Sequence, residues 1–149
     1  MNLEDAIKQK KFESPLHKVL LNVIYTNNWL LAEQEGIFKE FDLTAQQYNV
    51  LRILRGQHPG AISAGEIKEV MLDKNPDLTR LCDRLLKKGL IERETNDSNR
   101  RQVLINITKK GLELLKQMDP IVKGYSKKNT NLSDKEAKLL SDLLDKLRG

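Results

Sequence analysis

Leu78-Thr79-Arg80-Leu81-Cys82-Asp83-Arg84-Leu85-Leu86-Lys87-Lys88-Gly89 is the stretch that decides the fold. Leu78, Leu81, Cys82, Leu85 and Leu86 recur at helical spacing and form one apolar stripe. Thr79, Arg80, Asp83, Arg84 and Lys87 share the opposite side. Asn75-Pro76 reads as the cap and first turn, and Gly89 as the left-handed stop. Beyond the glycine the period changes. Leu90 to Glu94 and Gln102 to Ile107 read as two short strands, the second with Val103, Ile105 and Ile107 on its inner side. Thr95-Asn96-Asp97-Ser98-Asn99 between them is a run of turn formers, which predicts a hairpin with a polar, basic tip.

Helices are predicted on both sides of this core. Upstream, Ser14-Pro15 caps a long helix carrying Leu16, Val19, Leu20, Val23, Ile24, Leu30 and Leu31, with an end expected near Gly36. Thr44 followed by Gln47 is a capping box, and it opens a helix with Tyr48, Leu51 and Leu54 that Gly56 to Gly60 breaks. Ser63 with Glu66 is a second box and opens a short helix through Met71. Downstream, Thr108 caps a helix with Leu112, Leu115 and Met118 inward, in which Pro120 is a candidate kink. Ser133 with Glu136 is a third box, opening a last helix with Leu140, Leu143, Leu144 and Leu147 along one side. The fold class is therefore mainly α with a small β-hairpin wing. Helix, short helix, amphipathic helix and hairpin in that order give a winged helix-turn-helix layout.

Charge singles out the same region. The 149 residues carry a net charge of +5. Ten of the 26 basic residues and five of the 21 acidic ones lie between Lys74 and Lys110, which leaves sixteen of each elsewhere. The whole excess therefore sits on the predicted amphipathic helix and hairpin, as a polyanionic partner requires. Thr79, Arg80, Arg84 and Lys87 on the helix are candidate contacts to base edges or phosphates in a major groove. Arg100 and Arg101 at the hairpin tip are candidates for a neighbouring minor groove, where negative potential is focused. Asp77 and Asp83 near this face have two readings: i, i+3 partners that orient Arg80 and Arg84, or acids that repel some sequences and so sharpen specificity.

Other classes find little support. No apolar run approaches the roughly 18 residues of a membrane span. Met1 to Phe12 is polar, with no apolar export signal. A single cysteine, Cys82, allows no internal disulfide, so a cytoplasmic location is expected. Its place on the apolar stripe argues for a buried thiol that packs as a small hydrophobe, against a thiol sensor. His17 and His58 lack metal-like spacing, and neither a phosphate loop nor a nucleophile elbow is present. No enzyme activity, metal or cofactor is expected.

The residues from Leu78 to Leu85, then Lys88 to Arg93, resemble the recognition helix and first wing strand of the MarR family of transcriptional regulators. Arg101 to Gly111 resembles its second wing strand and the threonine-to-glycine start of the next helix, and Leu43 to Tyr48 the opening of its second helix. The likeness in layout runs over residues 14 to 147. It implies a single MarR-like domain, with a winged DNA-binding lobe at about 43–111 and dimerisation helices at about 14–36 and 112–147. It also implies that the leucine-rich ends (Leu16 and Leu20; Leu140, Leu143, Leu144 and Leu147) interleave between two subunits. The plain alternative is packing within one subunit. A two-fold dimer would set two recognition helices about 34 Å apart on a pseudo-palindromic duplex. The resemblance further implies a pocket for a small anionic aromatic effector, lined by Tyr25, Trp29, Tyr48 and Arg55, that releases a repressor from DNA. Aromatic core packing is the alternative for those rings. The family's aspartate two residues before the wing arginine is Asn99 here, which can accept a hydrogen bond but cannot pair as an ion. Two further readings stand beside the repressor: a thiol-responsive regulator acting through Cys82, and a winged-helix protein-interaction module that binds no DNA.

Overall fold

A computed structural model describes every residue except Asn129, and the side chains of Ser126 and Lys127 are also left out. Its contacts divide the chain into two compact units, Met1–Leu115 and Lys116–Gly149.

The first unit holds α1 (Leu3–Ile7), α2 (Pro15–Lys39), α3 (Ala45–Gln57), β1 (Ile62–Ser63), α4 (Ala64–Val70), α5 (Leu78–Lys87), β2 (Ile91–Asn96), β3 (Asn99–Ile107) and the start of α6 (Lys109–Lys128). All three predicted capping boxes are made: Thr44 with Gln47, Ser63 with Glu66, and Ser133 with Glu136. In the second, the Ser63 backbone N–H donates to Glu66 Oε2 at 2.7 Å and the Glu66 N–H donates to Ser63 Oγ at 3.3 Å. These hydrogen bonds, from the Ser63 backbone first and then its hydroxyl, hold the Glu66 carboxyl below its ordinary pKa.

Several boundaries differ from expectation, among them the hairpin strands, which run further into the expected turn, to Asn96 and from Asn99. The long helix α2 runs through Gly36 to Lys39, since one glycine costs a helix only about 1 kcal/mol. Asp42, at φ 53°, lies in the left-handed region in the turn that follows. α5 begins two residues later than Asn75-Pro76 suggested. Asp77 is its N-cap and accepts the Arg80 backbone N–H at 3.2 Å, while Pro76 is buried before it. The short strand β1 and the five-residue α1 have no counterpart in the sequence reading.

The core of this unit is aliphatic. Val50, Leu51 and Leu54 of α3, Ile67 of α4 and Leu85 of α5 are wholly buried. Each stabilises the fold by about 1.5–3 kcal/mol through the apolar surface it removes from water. The α5 stripe behaves as read: Leu78, Leu81, Cys82 and Leu85 are buried and Leu86 is half-buried. The sheet has the order β1-β3-β2, all antiparallel. Ile91 faces Ile107 and Arg93 faces Ile105 across the hairpin. Ile105 and Ile107 are buried, but Val103 is 49% exposed. Val103 therefore departs from the predicted inner row, because the hairpin has left the core by that point.

The corner between α5 and the hairpin is pinned from several sides. Gly89 has φ 69°, and its N–H donates to Leu86 O at 2.9 Å. The Leu90 N–H reaches Leu85 O at 3.0 Å, completing a Schellman stop. Thr108 then donates its hydroxyl to Gly89 O at 2.7 Å and its N–H to Leu90 O at 3.0 Å, and its Oγ1 accepts the Gly111 N–H at 3.1 Å. Lys110 Nζ donates to Lys88 O at 2.8 Å. α5 thus ends against the first turn of α6.

In the second unit, α6 continues across Pro120 to Lys128 as one helix. α7 (Asp134–Arg148) has no buried residue. Leu140, Leu143 and Leu147 are exposed and Leu144 is half-buried.

Candidate nucleic-acid interface

The polar side of α5 presents Thr79, Arg80, Arg84 and Lys87, all exposed. Arg100 and Arg101 are exposed at the start of β3, directly after the Asp97-Ser98 turn. Among the described residues, none of these five cationic side chains is held in an ion pair. Their charge is therefore available to an outside partner. Such free cations draw phosphate by releasing its counterions, and arginine's fixed fork can grip guanine O6 and N7 together.

The two acids on this side do not act as the orienting reading expects. Asp77 serves the Arg80 backbone rather than its guanidinium. Asp83 pairs with neither Arg80 nor Arg84. It meets Arg93 of β2, with Oδ1 2.7 Å from Nη2. Asn99 caps its own turn, accepting the Arg101 backbone N–H at 3.2 Å. Arg93 is the residue sequence reading missed as part of this surface. Its signal was available: it is two residues after Ile91 and so shares the inner side of the strand.

Cys82 is buried beneath the helix. Burial pushes its thiol pKa above the ordinary cysteine value, outweighing the opposing charge of Arg93. The thiolate is the reactive form, so a slow thiol is expected. Native protein should react with a soluble disulfide reagent at least about tenfold more slowly than denatured protein. Equal rates would show the thiol to be accessible.

None of the four residues of the expected effector pocket lines either of the two clefts described below. Tyr25 and Trp29 lie one turn apart on α2, 40% and 41% exposed. Tyr48 is half-buried and stacks on Phe38 at 4.7 Å between ring centroids, while Arg55 is half-buried further along α3. Two clefts of the lobe are lined by other residues. One, of about 700 Å³, has Leu31 and Lys39 of α2, Leu43 and Gln47, and Arg84 and Lys87 of α5 among its walls. The other, of about 210 Å³, lies between α5 and the hairpin and includes Thr79, Cys82 and Arg93.

A three-helix unit that exposes the polar side of its last helix, followed by a basic two-stranded ribbon, defines a winged helix-turn-helix DNA-binding protein. Comparison with known proteins agrees. The MarR family model matches residues 43–103. The multiple antibiotic resistance protein MarR of Salmonella typhimurium is 36% identical over 135 residues, 89% of this chain and 90% of the relative. A solved cysteine-to-serine mutant of MarR from Escherichia coli, complexed with operator DNA, is 29% identical with a TM-score of 0.70, covering 99% of both chains. The transcriptional repressor MprA of Escherichia coli is 27% identical over 108 residues, 71% of this chain and 61% of the relative. This chain belongs to the MarR family. It is a DNA-binding transcriptional regulator and not an enzyme. No helix of the described residues is long and apolar enough to cross a membrane.

Proposed function

We propose that the protein is a cytoplasmic, homodimeric repressor that holds a pseudo-palindromic operator until a small anionic effector releases it. One observation carries the DNA part: the cations of α5 and of the hairpin tip, in no ion pair among the described residues, lie on consecutive elements joined by a pinned corner. Thr79, Arg80, Arg84 and Lys87 are assigned to a major groove, and Arg100 and Arg101 to the flanking minor groove. Dimerisation is supported by apolar stripes that the single chain leaves open. Leu16 and Leu20 on α2, and Leu140 and Leu143 on α7, are each about half exposed. Rows of this kind mark contact surfaces. Repression needs only occupancy, because a dimer seated on a promoter excludes other proteins from it, and the similarity to MprA favours this output.

For the effector, the larger cleft is the favoured seat. It joins an apolar floor at Leu31 and Leu43 to the cations Lys39, Arg84, Lys87 and Lys88, which outnumber the acids Glu35 and Asp42 in the same walls. A compound bound there lies against the C-terminal half of α5, so it binds the DNA-bound and free forms differently and shifts their populations. Tyr25, Trp29, Tyr48 and Arg55 remain a second seat, one that a partner subunit would have to close.

Selection of duplexes from a random pool, with the mass of the complex measured alongside, tests the reading. Two half-sites in inverted orientation, about 10 base pairs between centres or a multiple of that, are expected to emerge on a dimer. Enriched sequences without symmetry, bound by a particle of one chain, would refute it.

A further inference from the structure

We infer that Asp83 and Arg93 form a positioning pair that sets the angle of the wing to the recognition helix, so that specific DNA recognition depends on an acid lying on the DNA-facing side. The inference rests on the assignment of α5 and the hairpin tip to DNA made above.

The geometry of Arg93 is unusual for its place. In the hairpin register it stands opposite Ile105 and on the same face as Ile91 and Ile107, all three of which are buried. The pleat therefore directs Arg93 to the inner face of β2, an edge strand of the sheet. An apolar residue would be expected there. The guanidinium is instead met at 2.7 Å by Asp83, which α5 supplies from the row of Thr79, Arg80, Arg84 and Lys87. Both side chains stay partly exposed, 41% for Arg93 and 49% for Asp83. An ion pair that open to water adds little to folding stability. What it does fix is geometry, since it ties strand to helix beyond the backbone corner at Gly89 and Leu90.

That tie has leverage. The tip begins four residues past Arg93, at Asp97, about 14 Å further along at the usual strand rise. A few degrees of play at Arg93 becomes a shift of an ångström or so at Arg100 and Arg101. Contacts to base edges require tighter placement than that, whereas non-specific phosphate attraction does not. The pair also cancels a carboxylate that would otherwise face phosphates.

These two roles predict opposite signs, and the sign is measurable. An acid that merely faced the phosphates would repel them, so Asp83→Asn would tighten binding to every duplex alike, while one that read a cytosine directly would lose affinity independently of Arg93. A positioning acid behaves otherwise. Binding is measured against a duplex selected by the wild-type protein and against a scrambled duplex of the same length. Asp83→Asn and Arg93→Gln are each expected to weaken the selected duplex about tenfold, and together no more than the weaker of the two alone. The scrambled duplex should bind Asp83→Asn as well as wild type or better. Exchange of the charges, Asp83→Arg with Arg93→Asp, should restore most of the selectivity. Tightening of both duplexes by Asp83→Asn, or additive losses in the double variant, would overturn the proposal. The variant lacking Arg80, Arg84 and Arg101 is run in parallel: if it binds the selected duplex normally, the DNA surface itself is misassigned and the pair falls with it.

Discussion

Replacing Arg80, Arg84 and Arg101 together with alanine should reduce affinity for a selected duplex at least a hundredfold, taking about 1–3 kcal/mol for each lost contact. The three side chains are exposed and unpaired among the described residues, so their loss removes no bond within the fold. Circular dichroism and melting should therefore match wild type. The dependence of binding on salt should also flatten, by about one unit of slope for each phosphate contact removed. Fluorescence anisotropy over a salt series reads both quantities. Unchanged affinity would remove the recognition surface from the account. A large loss with an unchanged slope would reassign the three arginines to base edges alone.

The second large effect is on stability and comes from Gly111. A Cβ at this position would sit 2.4 Å from the Leu90 carbonyl oxygen and 2.6 Å from Ile107 Cγ1. The Leu90 oxygen cannot retreat cheaply, because it is backbone and already accepts the Thr108 N–H. Gly111→Ala should therefore destabilise the fold by about 2 kcal/mol even though alanine is the better helix former. That corresponds to a fall in Tm of roughly 4–8 °C for a chain of this size. Gly56→Ala is the matched control. Gly56 is also helical, on α3, but nothing lies within 4 Å of its would-be Cβ. It should be neutral or stabilise by up to about 1 kcal/mol. Equal effects at the two glycines in thermal unfolding would mean that α6 does not press on the corner as described.

What sequence alone revealed follows from how local each signal is. The three capping boxes and the Gly89 stop are short-range chemistry, complete within four to six residues, and all were legible. The hairpin was legible from its turn formers and its change of period. β1 was not, because Ile62 and Ser63 become a strand only by pairing with Ile105 and Leu104, some forty residues away. The start of α5 was misplaced because Asn75-Pro76 imitates a cap and first turn, while the side chain that caps is Asp77. At the interface, the kinds of residue were readable from the charge map. The partner of Asp83 was not, since helical spacing pointed to Arg80 while the actual contact crosses a turn to Arg93. No periodicity reports a pairing across a change of secondary structure.

One half of α5 is committed to the interior, and on the other half Asp83 braces the hairpin while its four neighbours have no such duty among the described residues. Thr79, Arg80, Arg84 and Lys87 hold no cap and close no ion pair among the described residues. Exchanges at such positions usually alter stability by less than about 0.5 kcal/mol. The reading head can therefore be rewritten while the frame that carries it stays intact. Copies of this gene could diverge toward new target sites by single steps, with no need for compensating repair elsewhere in the chain.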